Sequence, residues 1–310
     1  MFLSREFVDE KYRPCIDYLN SHYDYCYLDS MHYINENYDT QAIITGLSYG
    51  LVGIDAQKMR YTINFCMHSQ DLYYDYLHAR RAVLTGRGKI RKCYISLGYY
   101  SLFYDMSLSI NKVRCSQIYG PLFEDYHHAE KIDREKSTEI ESKKVEHYRR
   151  FAHEFFAGEP SYYGVAVTRE AISEFYSIYE KEWWEVPGQD RDKMAAETAI
   201  KHNRHIKRKE TFKENVGIME NYIRFLVQND IMPIVIVTPF SMEYKSYILK
   251  EYKEILLHVL EMLPYRIEFM DMNDLDVFEP EDFLDMTHLN QKGAEKAADM
   301  LNKIFDNGYV

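Results

Sequence analysis

Five short apolar runs, each closed by a turn or a helix start, constrain this chain more than any other feature of its sequence. They are Gln41–Leu47, Tyr61–Met67, Lys92–Leu97, Met232–Thr238 and Arg266–Met270. Each is short and bounded, as strands buried inside a sheet are. Helical patterns accompany them, over Leu51–Arg60, Asp71–Leu84, Phe212–Asn229, Tyr247–Met262 and Gln291–Phe305. Within the third, Val216, Met219, Ile223 and Leu226 fall at helical spacing. In the last, Ala294, Ala297, Ala298, Leu301 and Ile304 share a face.

Alternating strands and helices predict an α/β fold in which a parallel sheet is covered on both sides. We expect a flavodoxin-like three-layer α/β/α arrangement with five strands in the order 2-1-3-4-5. A chain of 310 residues can form one such domain with a sizeable core. The stretch at about 105–210 is too long for a simple crossover and reads as a mostly helical cap inserted into a single domain spanning 1–310. It holds the charged run 130–150, read as a solvated helix face, and the aromatic segments 151–156 and 174–186.

Charge and cysteine usage narrow the function classes. A net charge of −11 leaves no general basic footprint for nucleic acid. The five cysteines, Cys15, Cys26, Cys66, Cys93 and Cys115, show no zinc or redox spacing. Cys66 and Cys93 sit in apolar runs and read as buried thiols. The N-terminal segment is too charged for a secretory signal, and no apolar run approaches the roughly 20 residues of a membrane helix. A soluble, cytoplasmic protein without stable membrane insertion is expected. The 29 tyrosines suggest a wet, aromatic cleft.

In an open parallel sheet, ligands bind outside the carboxyl ends of the strands, so those ends hold the candidate residues. The first run leads into T-G-L-S-Y-G-L-V-G. Ser48 lies at the strand-to-helix turn, where it is either a helix cap or a nucleophile whose own N–H faces a developing oxyanion. The second run ends at Ser69 and Gln70, and Ser69 is either a cap or a second oxyanion donor. The third ends in Gly98, Tyr99, Tyr100 and Ser101, a tight turn or a pocket wall. A serine nucleophile needs a base, and the base needs a partner that fixes its tautomer. Asp and His three residues apart occur four times: Asp29–His32, Asp75–His78, Asp125–His128 and Asp285–His288. Only the last lies between the final strand and the final helix, at the sheet edge expected to carry Ser48.

Gly-x-Ser at the first strand end, with D-x-x-H-L-N-x-x-G before the last helix, resembles the SGNH (GDSL) hydrolase superfamily. The segments H-S-Q-D-L-Y-Y-D-Y-L and M-P-I-V-I-V-T-P-F are similar to a branch that includes the D-alanine transfer protein of teichoic-acid loading and SGNH-like proteins of surface-polysaccharide clusters. The resemblance lies outside the 105–210 insertion. It implies Ser48 as nucleophile, His288 as general base, Asp285 as its orienter and Ser69 as an oxyanion donor, with no cofactor or metal. Two departures stand out. The first block reads G-L-S rather than G-D-S, and Gly98-Tyr99-Tyr100-Ser101 lacks the third-block asparagine. Loss of one oxyanion donor costs about 2.7–4 kcal/mol of transition-state stabilisation, unless Ser101, a tyrosine hydroxyl or a cap residue replaces it.

The expectation is therefore an esterase or O-acyltransferase acting on an acylated small molecule or carbohydrate. Two other readings stay open: a non-catalytic glycan-binding or assembly module on the same fold, and, with no phosphate-binding glycine motif to support it, a nucleotide-binding protein. The run 201–209 (K-H-N-R-H-I-K-R-K) is a local basic patch, either a solvated helix face or a steering surface for an anionic substrate.

Overall fold

A computed structural model describes Asp24 and residues 27–29, 31–129 and 182–305. Contacts cluster into two compact units. One takes the described residues up to Ile34 and those of 107–129, and the other takes 35–106 and 182–305. In the first unit, Arg114 pairs with Asp24 at 3.0 Å, and the His32 ring packs edge-on against Phe123 of the short helix Gly120–Phe123.

The second unit is built on a five-stranded, all-parallel sheet: β1 (Ala42–Gly46), β2 (Thr62–Asn64), β3 (Lys92–Ser96), β4 (Met232–Val237) and β5 (Glu268–Asp271). The order is 2-1-3-4-5, as the apolar runs predict. All five β1 residues and five of the six β4 residues are buried, which explains their unbroken apolar character. Register is continuous across the centre, with Ile44 opposite Tyr94 and Tyr94 opposite Ile234.

The described helices of this unit are α1 (Ser48–Gly53), α2 (Leu72–Thr85), α3 (Gly188–Asn203), α4 (Lys209–Gln228), α5 (Met242–Tyr247), α6 (Glu251–Met262) and α7 (Gln291–Phe305). Two depart from expectation. The helix foreseen at Leu51–Arg60 instead runs Ser48–Gly53. Ile54 then turns extended, and the Asp55 side chain accepts from the Gln57 N–H to cap a separate 3-10 turn at Ala56–Lys58. Of the helix foreseen at Tyr247–Met262, only Glu251–Met262 forms: Ile248 is extended, and Tyr247 is the last residue of a separate helix that starts at Met242 after the Ser241 cap.

The described parts of the 105–210 stretch divide between the units. Residues 107–129 belong to the first. Residues 182–210 belong to the second, where they form α3, the 3-10 turn Arg204–Lys207 and the start of α4. The charged run 130–150, the aromatic segment 151–156, most of 174–186, the N-terminal segment, Cys15 and Cys26 lie outside the described residues. Cys66, Cys93 and Cys115 are buried free thiols. No described helix is long and apolar enough to cross a membrane.

Candidate active site

Close packing sets the position of Ser48. Gly46 ends β1 at φ +135°, and a Cβ there would lie 2.1 Å from the Ser96 carbonyl oxygen on β3. Two positions after Ser48, a Cβ on Gly50 would lie 2.6 Å from both Cys66 Sγ and Ser96 Cβ. Only glycine allows α1 to press this tightly against the sheet. Asn64 fixes the turn further by donating to the Gly50 carbonyl at 2.9 Å. Ser48 is the first residue of α1, and the cap position is Leu47, which makes no side-chain cap bond. The cap role weighed for Ser48 is therefore not the one it fills.

Polar contacts set the position of His288. The 3-10 turn Pro280–Asp282 leads into a tight loop. It closes through an isolated bridge between Phe283 and Leu289, with the Leu284 N–H donating to the His288 carbonyl at 2.9 Å. Buried Asp282 accepts from the Glu279 N–H and pairs with Lys292 and Lys296 of α7. Asp285 Oδ1 accepts from the Thr287 N–H at 2.7 Å, the Thr287 hydroxyl at 3.1 Å and the His288 N–H at 2.9 Å. Asp285 Oδ2 lies 2.8 Å from His288 Nδ1. His288 Nε2 lies 2.8 Å from Ser48 Oγ, across 240 positions of sequence.

These contacts fix the protonation pattern. Burial pushes the Asp285 carboxyl upward, but the His288 ring and the Thr287 donors outweigh it and hold the group below its ordinary value. An ionised carboxylate only accepts, so Nδ1 of His288 carries a proton, and in the neutral ring Nε2 is the nitrogen that accepts from the Ser48 hydroxyl. Both links fall within general-base reach, about 2.6–3.2 Å.

The other Asp–His pairs are placed differently. Asp75 and His78 are buried on α2, where Gln70 donates to Asp75 and His78 stacks on Phe65. Asp125 accepts from the His127 N–H, and His32 packs on Phe123.

Candidate oxyanion donors surround Ser48. As the first residue of a helix, Ser48 has an N–H with no intrahelical acceptor. Ser69 is not the α2 cap; that role belongs to Asp71, whose side chain accepts from the Tyr74 N–H. Ser69 instead holds φ +56°, an uncommon conformation for a residue with a side chain. Its turn is tied to the end of β1 by the Met67 N–H and the Gln70 side chain, both donating to the Gly46 carbonyl, at 3.0 and 3.1 Å. The Ser69 N–H has no acceptor among the described residues.

The third block divides. The Gly98 N–H donates to Ser101 Oγ at 2.9 Å, so these two groups are used within the turn. A Cβ on Gly98 would lie 2.6 Å from the Tyr49 ring, so its close approach is to that ring. The Tyr99 hydroxyl donates to Asp271 at 2.6 Å, beside Lys253. The Tyr100 hydroxyl is 3.1 Å from that of Tyr49, whose ring lies 5.3 Å from the His288 ring.

Several supporting residues carry no sequence signal of their own. Thr287 braces Asp285. Asn215 on α4 pins the third block by donating to the carbonyls of Leu102 and Tyr104, at 3.2 and 2.9 Å. His202 and His205 of the basic run stack on Tyr100. Burial and neighbouring charges push His202 down to about 3 and His205 to about 4, so both rings stay neutral near neutral pH. No protein-family model matches this chain, and no curated protein matches it in sequence.

Proposed function

We propose that this chain is a serine-dependent esterase or O-acyltransferase working through an acyl-enzyme on Ser48. The observation that carries the reading is the continuous Asp285–His288–Ser48 relay, 2.8 Å at both links. A buried, ionised carboxylate, a fixed imidazole tautomer and a half-buried hydroxyl at a sheet edge are the parts nucleophilic acyl transfer requires.

In the proposed reaction Ser48 Oγ bonds to the ester carbonyl carbon and its proton passes to His288 Nε2. The carbonyl electron pair moves onto oxygen, facing the N–H groups of Ser48 and Ser69. The ester C–O bond then breaks, and His288 returns the proton to the leaving alkoxide. Water or a sugar hydroxyl repeats the steps in reverse order to free the acyl group. The chemistry needs no cofactor.

The relay and the two motif blocks support placing the chain with the SGNH hydrolases. The substrate proposed from that resemblance is an acyl ester of a carbohydrate or surface polysaccharide, and the buried free thiols favour a reducing, cytoplasmic setting. The missing third-block asparagine favours a second reading, a non-catalytic glycan-binding or assembly module. Hydrolysis of p-nitrophenyl acetate decides between them. We expect turnover that Ser48→Ala lowers by about 10⁴-fold or more. Equal rates in the two proteins would leave the binding module standing.

A further inference from the structure

Tyr49 follows Ser48 on the first turn of α1, and its buried ring lies beside His288. Its hydroxyl and that of Tyr100 share one hydrogen bond. Two phenols bring two O–H protons, and one bond uses one of them. The second proton has no acceptor among the described residues. Burial pushes both hydroxyls above the ordinary tyrosine range, so both remain donors. The Tyr100 ring is also held firmly. It stacks on His202 at 4.4 Å and 29°, lies 5.4 Å from His205, and meets Tyr104 edge-on. His202 is anchored in turn, with Nδ1 2.6 Å from the Tyr244 hydroxyl. A spare, oriented donor, one hydrogen bond from the ring that flanks His288, is placed to serve a group that accepts from it.

We infer that the Tyr49–Tyr100 pair supplies a side-chain donor to the oxyanion, with the unused phenolic O–H of Tyr100 bonding the negative oxygen formed when Ser48 attacks an ester. Tyr49 sets the direction by donating its own proton to the Tyr100 oxygen. The inference rests on the esterase reading above and adds a catalytic residue to it. It also gives the third block a donor where Gly98 and Ser101 are used on each other.

The test compares wild type, Tyr100→Phe, Tyr49→Phe and Ser48→Ala on p-nitrophenyl acetate, with fluorophosphonate labelling of Ser48 as a second readout. Phenylalanine keeps each ring and its packing contacts. Tyr100→Phe is expected to lower kcat/KM by roughly 10- to 100-fold while Ser48 still takes the label. Tyr49→Phe is expected to lower it by roughly threefold to tenfold. If thermal melting shows that Tyr100→Phe does not fold, Tyr49→Phe carries the test. Wild-type rates in the phenylalanine variants, beside an inactive Ser48→Ala protein, would overturn this inference alone. Absence of both turnover and label in wild type would overturn the esterase reading and this inference with it.

Discussion

Two regions of the molecule meet at the Ser48–His288 contact, and different forces hold them. On the serine side the determinant is volume. Gly46 and Gly50 let backbone and helix approach β3 and Cys66 more closely than any side chain permits, within a layer of buried apolar residues. On the histidine side the determinant is polar. Asp285 takes three donors besides the His288 ring, and Asp282 ties the loop to Lys292 and Lys296. Ser48 is thus set by what cannot fit elsewhere, and His288 by charge and hydrogen bonds.

The largest expected effect falls on the polar side. Asp285→Asn keeps the shape and the oxygen that Thr287 and the His288 N–H bond, but turns the other toward His288 as an NH2 donor that no longer enforces the tautomer, so kcat should fall by about 10⁴-fold with the fold retained. Steady-state kinetics beside a thermal melt checks both halves. A small kinetic loss would show that the loop, not the carboxylate, positions His288.

On the packed side the loss should appear in stability. Gly46→Ala places a Cβ against the Ser96 carbonyl at a left-handed φ and should cost about 3 kcal/mol, read from urea unfolding. An unchanged midpoint would remove the packing account of Ser48.

Acid should separate the regions with a smaller effect. His78, buried on α2, is pushed down to about 3 by burial. Below the unfolded histidine value near pH 6.5, the unfolded chain takes a proton that the folded chain refuses. Stability contributed by the neutral ring is therefore present above about pH 6.5 and lost as pH falls toward 3, by up to about 1.4 kcal/mol per pH unit. Asp282 and Asp285 are held below their ordinary values, against burial, mainly by Lys296 and His288 respectively. Their stabilisation is present above the unfolded carboxylate range and fades only as pH falls through their lower folded values. His78→Gln should flatten the stability profile between about pH 6.5 and 4 and leave the later acid loss in place.

The sheet was legible chiefly through its central strands β1, β3 and β4, which are buried on both faces and so read as largely apolar runs. Ser48, Asp285 and His288 were legible because strand order tells which loops share an edge. The α1 boundary was not, because it depends on Gly50 and Gly53 meeting the sheet and on Asp55 capping a new turn. The break at Ile248 was equally hidden among apolar residues, although Ser241 after Pro239 and Phe240 is a start signal for a new helix. The Tyr49–Tyr100–His202 chain escaped sequence reading for a simpler reason. Its members lie 51 and 102 positions apart, and no local periodicity connects a strand-end tyrosine to a histidine in a basic run.

The proposed reaction requires that His288 activate Ser48 in the folded protein. Treating native protein with a fluorophosphonate and mapping the adduct by peptide mass tests it most directly. The expected result is a single label on Ser48 that vanishes when the protein is denatured first and slows sharply in His288→Ala. Failure of the native protein to take label at Ser48, or labelling at the same rate without His288, would contradict it.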